Sequence, residues 1–414
     1  MQAVMGRPDE PAPVSKGPNE KLRILLCTDW WDQSVNGVVA SVRTLRRELE
    51  RQGHEVRVLT IAKGLRSRRH GGVYRLGSIS ASIFYENARI CYPVQDTIHR
   101  DILAWSPDVV HANSEFSTFT WAKRISRELG VPLVHTYHTI YEDYTHYYSP
   151  SHTMGRHVAA TFSRHVLGST DHVVVPTQKV ATLLHSYGVT RPISVVPTGL
   201  RLGHFRPART EAEHVDCQRL RRRLGIDPDR RVLVSVGRLA KEKNLDEVLD
   251  HLAALPRRDW TLLLVGEGPY RENLERHAHA LGLDDHVVFT GCVDPRQVAR
   301  YYRVGDAFVS ASTSETQGLT FAEALACGLP LLCRRDPALR GILLDGSNGY
   351  GFDDGAEFAA RLDDLFDDAV LRTRLAHNAA RHAHRVCGSE TFGAAVCDVY
   401  REAIARHRSY LLVA

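Results

Sequence analysis

A series of short apolar runs that occurs twice is the feature that most constrains the fold. RILLC at 23, EVRVLT at 55, DVVH at 108, PLVHT at 132, HVVV at 172 and ISVV at 193 come first. After PTGLRLGHFRPART at 197–210 the series restarts with RVLVSVG at 231, WTLLLVG at 260, HVVF at 286, AFVS at 307 and PLLC at 330. Most of the intervening segments have helical spacing. Val38, Val42, Leu45 and Leu49 form one such stripe, with Arg43, Arg46, Arg47 and Arg51 on other faces. Alternation of this kind predicts an α/β chain with parallel sheets covered by helices on both faces.

The restart, together with a length of 414 residues, predicts two consecutive doubly wound, Rossmann-like domains and a hinge. The expected boundaries are 21–203 and 204–386, followed at 387–414 by a helix with no strand after it, packing across the junction. Residues 1–20, MQAVMGRPDEPAPVSKGPNE, are rich in proline and charge and are expected to form a disordered tail.

Composition excludes several classes. No stretch has the roughly 18 to 20 apolar residues of a membrane span, and the N-terminus lacks a secretory pattern, which predicts a cytoplasmic protein. The eight cysteines stand without C-x-x-C pairs and several lie in apolar runs, so they read as reduced core residues, not as disulfides or a zinc site. A net charge of +5 is too weak to imply nucleic acid but suits an anionic surface.

The segment SETQGLTFAEALACGLP, 314–330, follows the AFVS run and carries two glutamates. Ligands of open α/β sheets bind beyond the carboxyl ends of strands. Glu315 is therefore expected on a loop at such an end. A helix starting near Gly318 would offer the amides of Gln317, Gly318 and Leu319 as a phosphate seat. Glu323 falls five residues past Gly318, roughly 7.5 Å along the helix axis. That spacing suits a nucleotide diphosphate sugar, with a carboxylate for the sugar hydroxyls and another for the ribose. Arg238 and Lys243 in VSVGRLAKEKN could neutralise the diphosphate, and Gly266-Glu267-Gly268-Pro269 makes a turn at another strand end. Two surface glutamates or one charged loop alone would be unremarkable.

Taken together, VGRLAKEKN, LLLVGEGP, VVFTGCV and SETQGLTFAEALACGLP resemble the retaining GT-B glycosyltransferases of family 4, over nearly the whole chain from about Lys21. PLVHTYHTIYEDYTHYY resembles the signature of the diacylglycerol α-glucosyltransferases within that family, with PTQKVATLL and VVPTGL in agreement. The resemblance implies that His138 reaches the transferred sugar, Arg238 and Lys243 hold the leaving diphosphate, Glu315 binds sugar hydroxyls, Glu323 binds ribose, and the amides around Gly318 seat sugar and phosphates. Gly37 in SVNGV would let the first domain's backbone approach the phosphates.

The implied activity is transfer of a hexose, with glucose favoured, from a UDP-sugar to the hydroxyl of diacylglycerol at the inner face of the cell membrane. No metal or other cofactor is expected, since no D-x-D stands at a strand end and the two cations take its place. Retention of configuration rests on the resemblance. Among the histidines and tyrosines of the signature, His135, His146 and Tyr137 are rival structural groups, and Asp143 or Glu142 could serve as base on an inverting path.

DWWDQSVNG departs from the family, which places prolines before the N-G pair, and CRRDPALRG is atypical in Cys333 and its paired arginines. Both bear on the acceptor, for which Trp30, Trp31, Tyr141, Asp143 and Tyr144 are candidates. Lys63, Arg66, Arg68 and Arg69 in AKGLRSRRHGG, expected on a loop, and the helical segment 156–168 are candidates for contact with an anionic membrane. The rival readings are another acceptor, namely a glycosylated or inositol lipid or a soluble sugar, and a non-catalytic nucleotide-sugar- or lipid-binding scaffold, which has no need of His138, Arg238, Lys243, Glu315 and Glu323 together.

Overall fold

The structure is a computed structural model describing residues 20–31, 37–80, 89–91, 97–142 and 152–413. Asp143, Tyr144, His146, the first nineteen residues and part of the DWWDQSVNG loop lie outside the described residues.

Each predicted apolar run forms a strand, and the runs segregate into two sheets. The first is eight-stranded, in the order Ile193–Val195, His172–Val175, Leu133–Thr136, Val109–Ala112, Arg23–Cys27, Glu55–Ile61, Val73–Leu76, Arg68–His70. All its pairings are parallel except that of the last two strands. The second is six-stranded and wholly parallel, in the order Val287–Phe289, Trp260–Val265, Arg231–Val236, Ala307–Ser310, Leu331–Arg334, Gly349–Phe352.

The two-residue period of a strand explains why these runs carry no polar face. Ile24 and Leu26 pack on one side of the first sheet, with Val42, Leu45 and Leu49 of the helix Gly37–Arg51. Leu25 and Cys27 pack on the other, with Ile102, Ala122 and Leu184. Val232 and Val234 of the second sheet share a core with Phe308, Leu325 and Ala379, while Leu233 shares the other with Val248, Leu262 and Leu362. Each such side chain, fully buried, contributes about 1.5–3 kcal/mol.

The strands not read from the sequence are Arg68–His70, Val73–Leu76, Ser78–Ser80, Arg89–Cys91 and Gly349–Phe352. Most are short and lie at edges, and Gly349–Phe352 is half glycine, so none presents an apolar run. Arg68 and Arg69 thus sit on an exposed edge strand and not on the loop expected for them.

The chain crosses between the two sheets twice. It leaves the first after Ile193–Val195 and returns at 387–389, where the helix Ser389–Val413 begins. Phe392, Val396, Val399 and Tyr400 of that helix are buried in the core beneath the first sheet, and the Tyr400 hydroxyl lies 2.7 Å from His111 Nδ1. The crossing segments touch: Leu200 N donates to Cys387 O at 2.7 Å. A Cβ on Gly199 would stand 2.6 Å from Ser389 Cα and 2.7 Å from Phe392 Cβ.

Gly199→Ala therefore overpacks the crossing by about 1–3 kcal/mol. Calorimetry should show the first unfolding transition moved down; an unchanged transition would remove this contact from the account.

Candidate active site

The two sheets present the carboxyl ends of their strands to one another. Thr177, just past His172–Val175, donates through Oγ1 to Thr316 O at 2.7 Å, beyond the end of Ala307–Ser310. Thr198, past Ile193–Val195, exchanges two bonds with the buried Gln317 side chain: its N–H donates to Oε1 at 2.8 Å and its carbonyl accepts from Nε2 at 2.9 Å. A Cβ on Gly37 would lie 3.7 Å from Leu319 Cδ1, which sets the two domains' first strand-to-helix turn and glutamate helix face to face. A cavity of about 360 Å³ opens beside these contacts, lined from both domains by Ile140, Glu142, Thr182 and Thr313 among others.

In the second sheet the strand order reverses between Arg231–Val236 and Ala307–Ser310, and the crevice of a doubly wound sheet lies beyond that switch. Arg238 and Lys243 follow the first of these strands, and Glu315 follows the second. Lys243 Nζ donates to Glu315 Oε1 at 2.6 Å, and Ser312 Oγ adds a bond at 3.0 Å. Burial pushes the Glu315 carboxyl up, but Lys243 and Ser312 outweigh it and hold the group below its ordinary range. Arg238 is more exposed and bonds Glu242 four residues on. The glycine turn packs directly on this segment, for a Cβ on Gly266 would stand 1.9 Å from Gly237 O and one on Gly268 2.2 Å from Leu239 O.

The helix Leu319–Ala326 starts one residue after Gly318, whose φ of 71° favours glycine. Any side chain there would also run into Phe321, since a Cβ would lie 2.2 Å from its ring. No side chain caps this helix, so its first amides point out of the N-terminus as an anion seat. One and a half turns on, Glu323 accepts from the Tyr302 hydroxyl at 2.9 Å. Burial dominates its environment and pushes its pKa from the ordinary 4.5 up to about 7.

The first sheet supplies the facing wall. His138 follows Leu133–Thr136, with Nε2 3.2 Å from Asn113 Oδ1. Burial drives its pKa down to about 4, so at neutral pH it is an uncharged hydrogen-bonding group. With Asn113 Oδ1 accepting from Nε2–H, Nδ1 is left as the acceptor. Beside it Glu115 bonds His135 Nε2 at 3.2 Å and the Tyr141 hydroxyl at 2.5 Å. Those two bonds keep it ionised against its burial. Asp29, past the end of Arg23–Cys27, accepts from Thr118 N at 2.8 Å and is raised to about 6 by burial.

Comparison with known proteins gives the family and the fold. Residues 35–203 match the family described as Glycosyltransferase Family 4, and residues 216–382 match Glycosyl transferases group 1. An alpha-monoglucosyldiacylglycerol synthase of Streptococcus pneumoniae is 35% identical over 92% of this chain and 86% of its own length. Another, from Acholeplasma laidlawii, is 29% identical over 86% of this chain and 92% of its own. The chain belongs to glycosyltransferase family 4. Its fold is GT-B, as the structure of Anabaena HepE in complex with UDP-glucose also shows: TM-score 0.70 at 18% identity, covering 91% of this chain and 99% of that one.

Within this family 4 glycosyltransferase some sequence expectations need correction. Trp31 does not line an acceptor mouth: it is buried in the core under the first sheet, with the Arg43 and Arg46 guanidinium groups 5.5 and 5.8 Å from its ring. Trp30 is half-buried beside it. The Tyr141 hydroxyl is committed to Glu115, and the ring packs edge-on against Tyr137 and Phe162. The Gln317 side chain belongs to the domain crossing at Thr198, which leaves only its backbone for a ligand. Glu267 is exposed and paired with Arg271 at 2.6 Å, over Gly291. The atypical Arg334 and Arg335 bond to carboxylates of their own domain, Glu247 and Glu357.

Asn113 and Glu115 were missed. Their signal was available, since ANSEF directly follows the DVVH run at the carboxyl end of a strand.

Glu323 predicts a pH-dependent stability. Because its folded pKa is raised, the stability it contributes is present below about 4.5 and is lost as pH rises through about 7. Glu323→Gln, which keeps the acceptor for Tyr302, should therefore be more stable than the parent at pH 8, by up to about 3 kcal/mol, and equal to it at pH 4. Denaturant titrations at the two pH values check this; the same difference at both would contradict it.

Proposed function

We propose that this glycosyltransferase moves glucose from UDP-glucose to the free hydroxyl of diacylglycerol, with retention of anomeric configuration, as a peripheral enzyme of the inner face of the cell membrane. The observation that carries the reading is the 35% identity to an alpha-monoglucosyldiacylglycerol synthase along 92% of the chain, through both halves of the cleft.

The geometry supports a role for each group. Glu323 takes the ribose, the amides at Gly318 take the phosphates, and Arg238 with Lys243 carry the charge that accumulates as the diphosphate departs. Fixed cations aimed at a developing anion are worth most in a site that excludes water. Glu315, held ionised, accepts from sugar hydroxyls. His138, uncharged, offers Nδ1 to the sugar from the opposite wall, as a positioning group and not as an acid. The diphosphate is neutralised by side chains, so no metal is assigned to the step.

For the lipid, the exposed loop at 63–67 presents Lys63 and Arg66 on either side of Leu65, which is 79% exposed, with Arg68 next to them. Arg69 is tied to Asp101 at 2.5 Å. Met154 and Val158, each 53% exposed, project from the helix His152–Gly168. Cations near an anionic leaflet add on the order of 1 kcal/mol each, and among the described residues no helix is long and apolar enough to cross a membrane.

Radiolabelled UDP-glucose supplied with diacylglycerol in anionic liposomes should yield a labelled α-glycolipid. Glu315→Ala and His138→Ala should each lower the rate by roughly 100-fold or more. Label appearing only with another lipid or a soluble sugar would keep the fold and remove this acceptor; nucleotide-sugar binding without turnover on any acceptor would favour a scaffold.

Replacing Lys63, Leu65 and Arg66 by serine should weaken vesicle sedimentation by roughly tenfold, most at low salt. Unchanged sedimentation would take this loop out of the membrane contact.

A further inference from the structure

The loop that carries Glu315 is held from the other domain as well as from its own. Lys179 is the second residue of the helix Gln178–Ser186, on the first-sheet side of the cleft. Its Nζ donates to Thr313 O at 2.6 Å and to both Asp336 oxygens at 2.9 Å, all on the second-sheet side. These bonds use the full donor set of an ammonium. Both partners are partly shielded, with side chains 19% and 7% exposed, and both line the cavity between the domains. Two residues away Thr177 Oγ1 bonds Thr316 O. Glu315 therefore sits between two backbone carbonyls, at 313 and 316, that are both gripped from across the cleft.

Local stability does not explain Lys179. A cation in the first turn of a helix opposes the helix dipole, so the helix Gln178–Ser186 gains nothing from it. Nor does Asp336 lack cations in its own domain, where Arg334 and Arg335 immediately precede it. Both turn away, to Glu247 and to Glu357 and Asp353. Asp336 is instead fixed by accepting from Ala338 N at 2.8 Å, as the cap of the short turn Pro337–Leu339, with its carboxylate toward Lys179. The pair thus joins a rigid anchor in one domain to a helix start in the other, and the Glu315 loop is strung between them.

We propose that Lys179 is a positioning residue of the donor site supplied in trans by the opposite domain: through Thr313 and Asp336 it fixes the Glu315 loop, so that the sugar-binding carboxylate is in place only when the domains are together. This rests on the reading of Glu315 as the group that binds the donor's sugar. The consequence is selective. Of the groups assigned to the UDP portion, Glu323 is held by Tyr302 within the second domain, and the Gly318 amides follow Gln317, which Thr198 holds at the crossing without Lys179, whereas the Glu315 loop depends on the grip of Lys179 and Thr177. Closure and hexose binding are then coupled, and each favours the other.

Calorimetric titration of UDP and of UDP-glucose into the full chain tests this. Lys179→Met should weaken UDP-glucose by roughly tenfold, within the usual range of such couplings, and change UDP much less. Asp336→Asn, which leaves the bond of Lys179 to Thr313 O, should give a smaller loss with the same selectivity. The double variant should be no worse than Lys179→Met alone, because that change already removes the pair with Asp336. Lys179→Arg should restore most of the affinity. Thr177→Val, which removes a single neutral bond, should give a smaller loss with the same selectivity, and it answers the question even where Lys179→Met does not fold. In turnover the effect should fall on the donor KM. Equal losses for UDP and UDP-glucose would mean general damage to the cleft and would overturn the proposal, as would additive losses in the double variant or no loss at all. A parent chain that binds neither UDP nor UDP-glucose would overturn the functional reading along with it.

Discussion

Everything in this site depends on the place where the chain crosses twice between its two sheets. Gly199 lies against Gly388, Ser389 and Phe392 with no room for a side chain, and Leu200 bonds the backbone of Cys387. Immediately before it, Thr198 is locked by two hydrogen bonds to Gln317, the residue that precedes the glutamate helix. Hinge and donor loop are therefore one contact. The helix Ser389–Val413, returning to the first core, fixes the second crossing segment through Tyr400 and Phe392. Two sheets formed from independent cores can thus hold their carboxyl ends opposed, and a crevice open to both domains follows from that opposition.

The electrostatics divide along the same line. In the second domain the charges compensate at short range, Lys243 with Glu315 and Arg238 with Glu242, while Glu323 has a tyrosine hydroxyl as its partner and is raised to about 7. A buried carboxylate without a cation is costly to the fold, and such costs concentrate where a ligand is to be bound. In the first domain His138 is kept neutral, and the ionised Glu115 is absorbed by His135 and Tyr141. That wall offers hydrogen-bonding side chains, suited to hydroxyl-rich groups, while the opposite wall offers cations and amides, suited to a diphosphate.

Strands that run as continuous apolar segments were legible because both of their faces are buried, as with Ile24 and Leu25 or Val232 and Leu233. The edge strands were not, because Arg68–His70 is exposed throughout and Gly349–Phe352 alternates glycine with aromatics. The donor side was also legible. Gly318 marks a left-handed turn that opens a helix, and Glu315 and Glu323 keep fixed offsets from it. What sequence could not give was which side chain spans the gap. Trp31 looked like an acceptor residue and is a core residue, since exposure of a tryptophan next to a strand end is decided by tertiary packing. Lys179 and Asp336 are 157 positions apart and meet only because two domains face each other.

The most direct measurement is an experimental structure with UDP-glucose bound. The account predicts the ribose on Glu323, the diphosphate at Arg238, Lys243 and the Gly318 amides, and the glucose between Glu315 and His138. A donor bound in any other crevice, or one whose sugar points away from His138 with Glu315 out of reach, would contradict it.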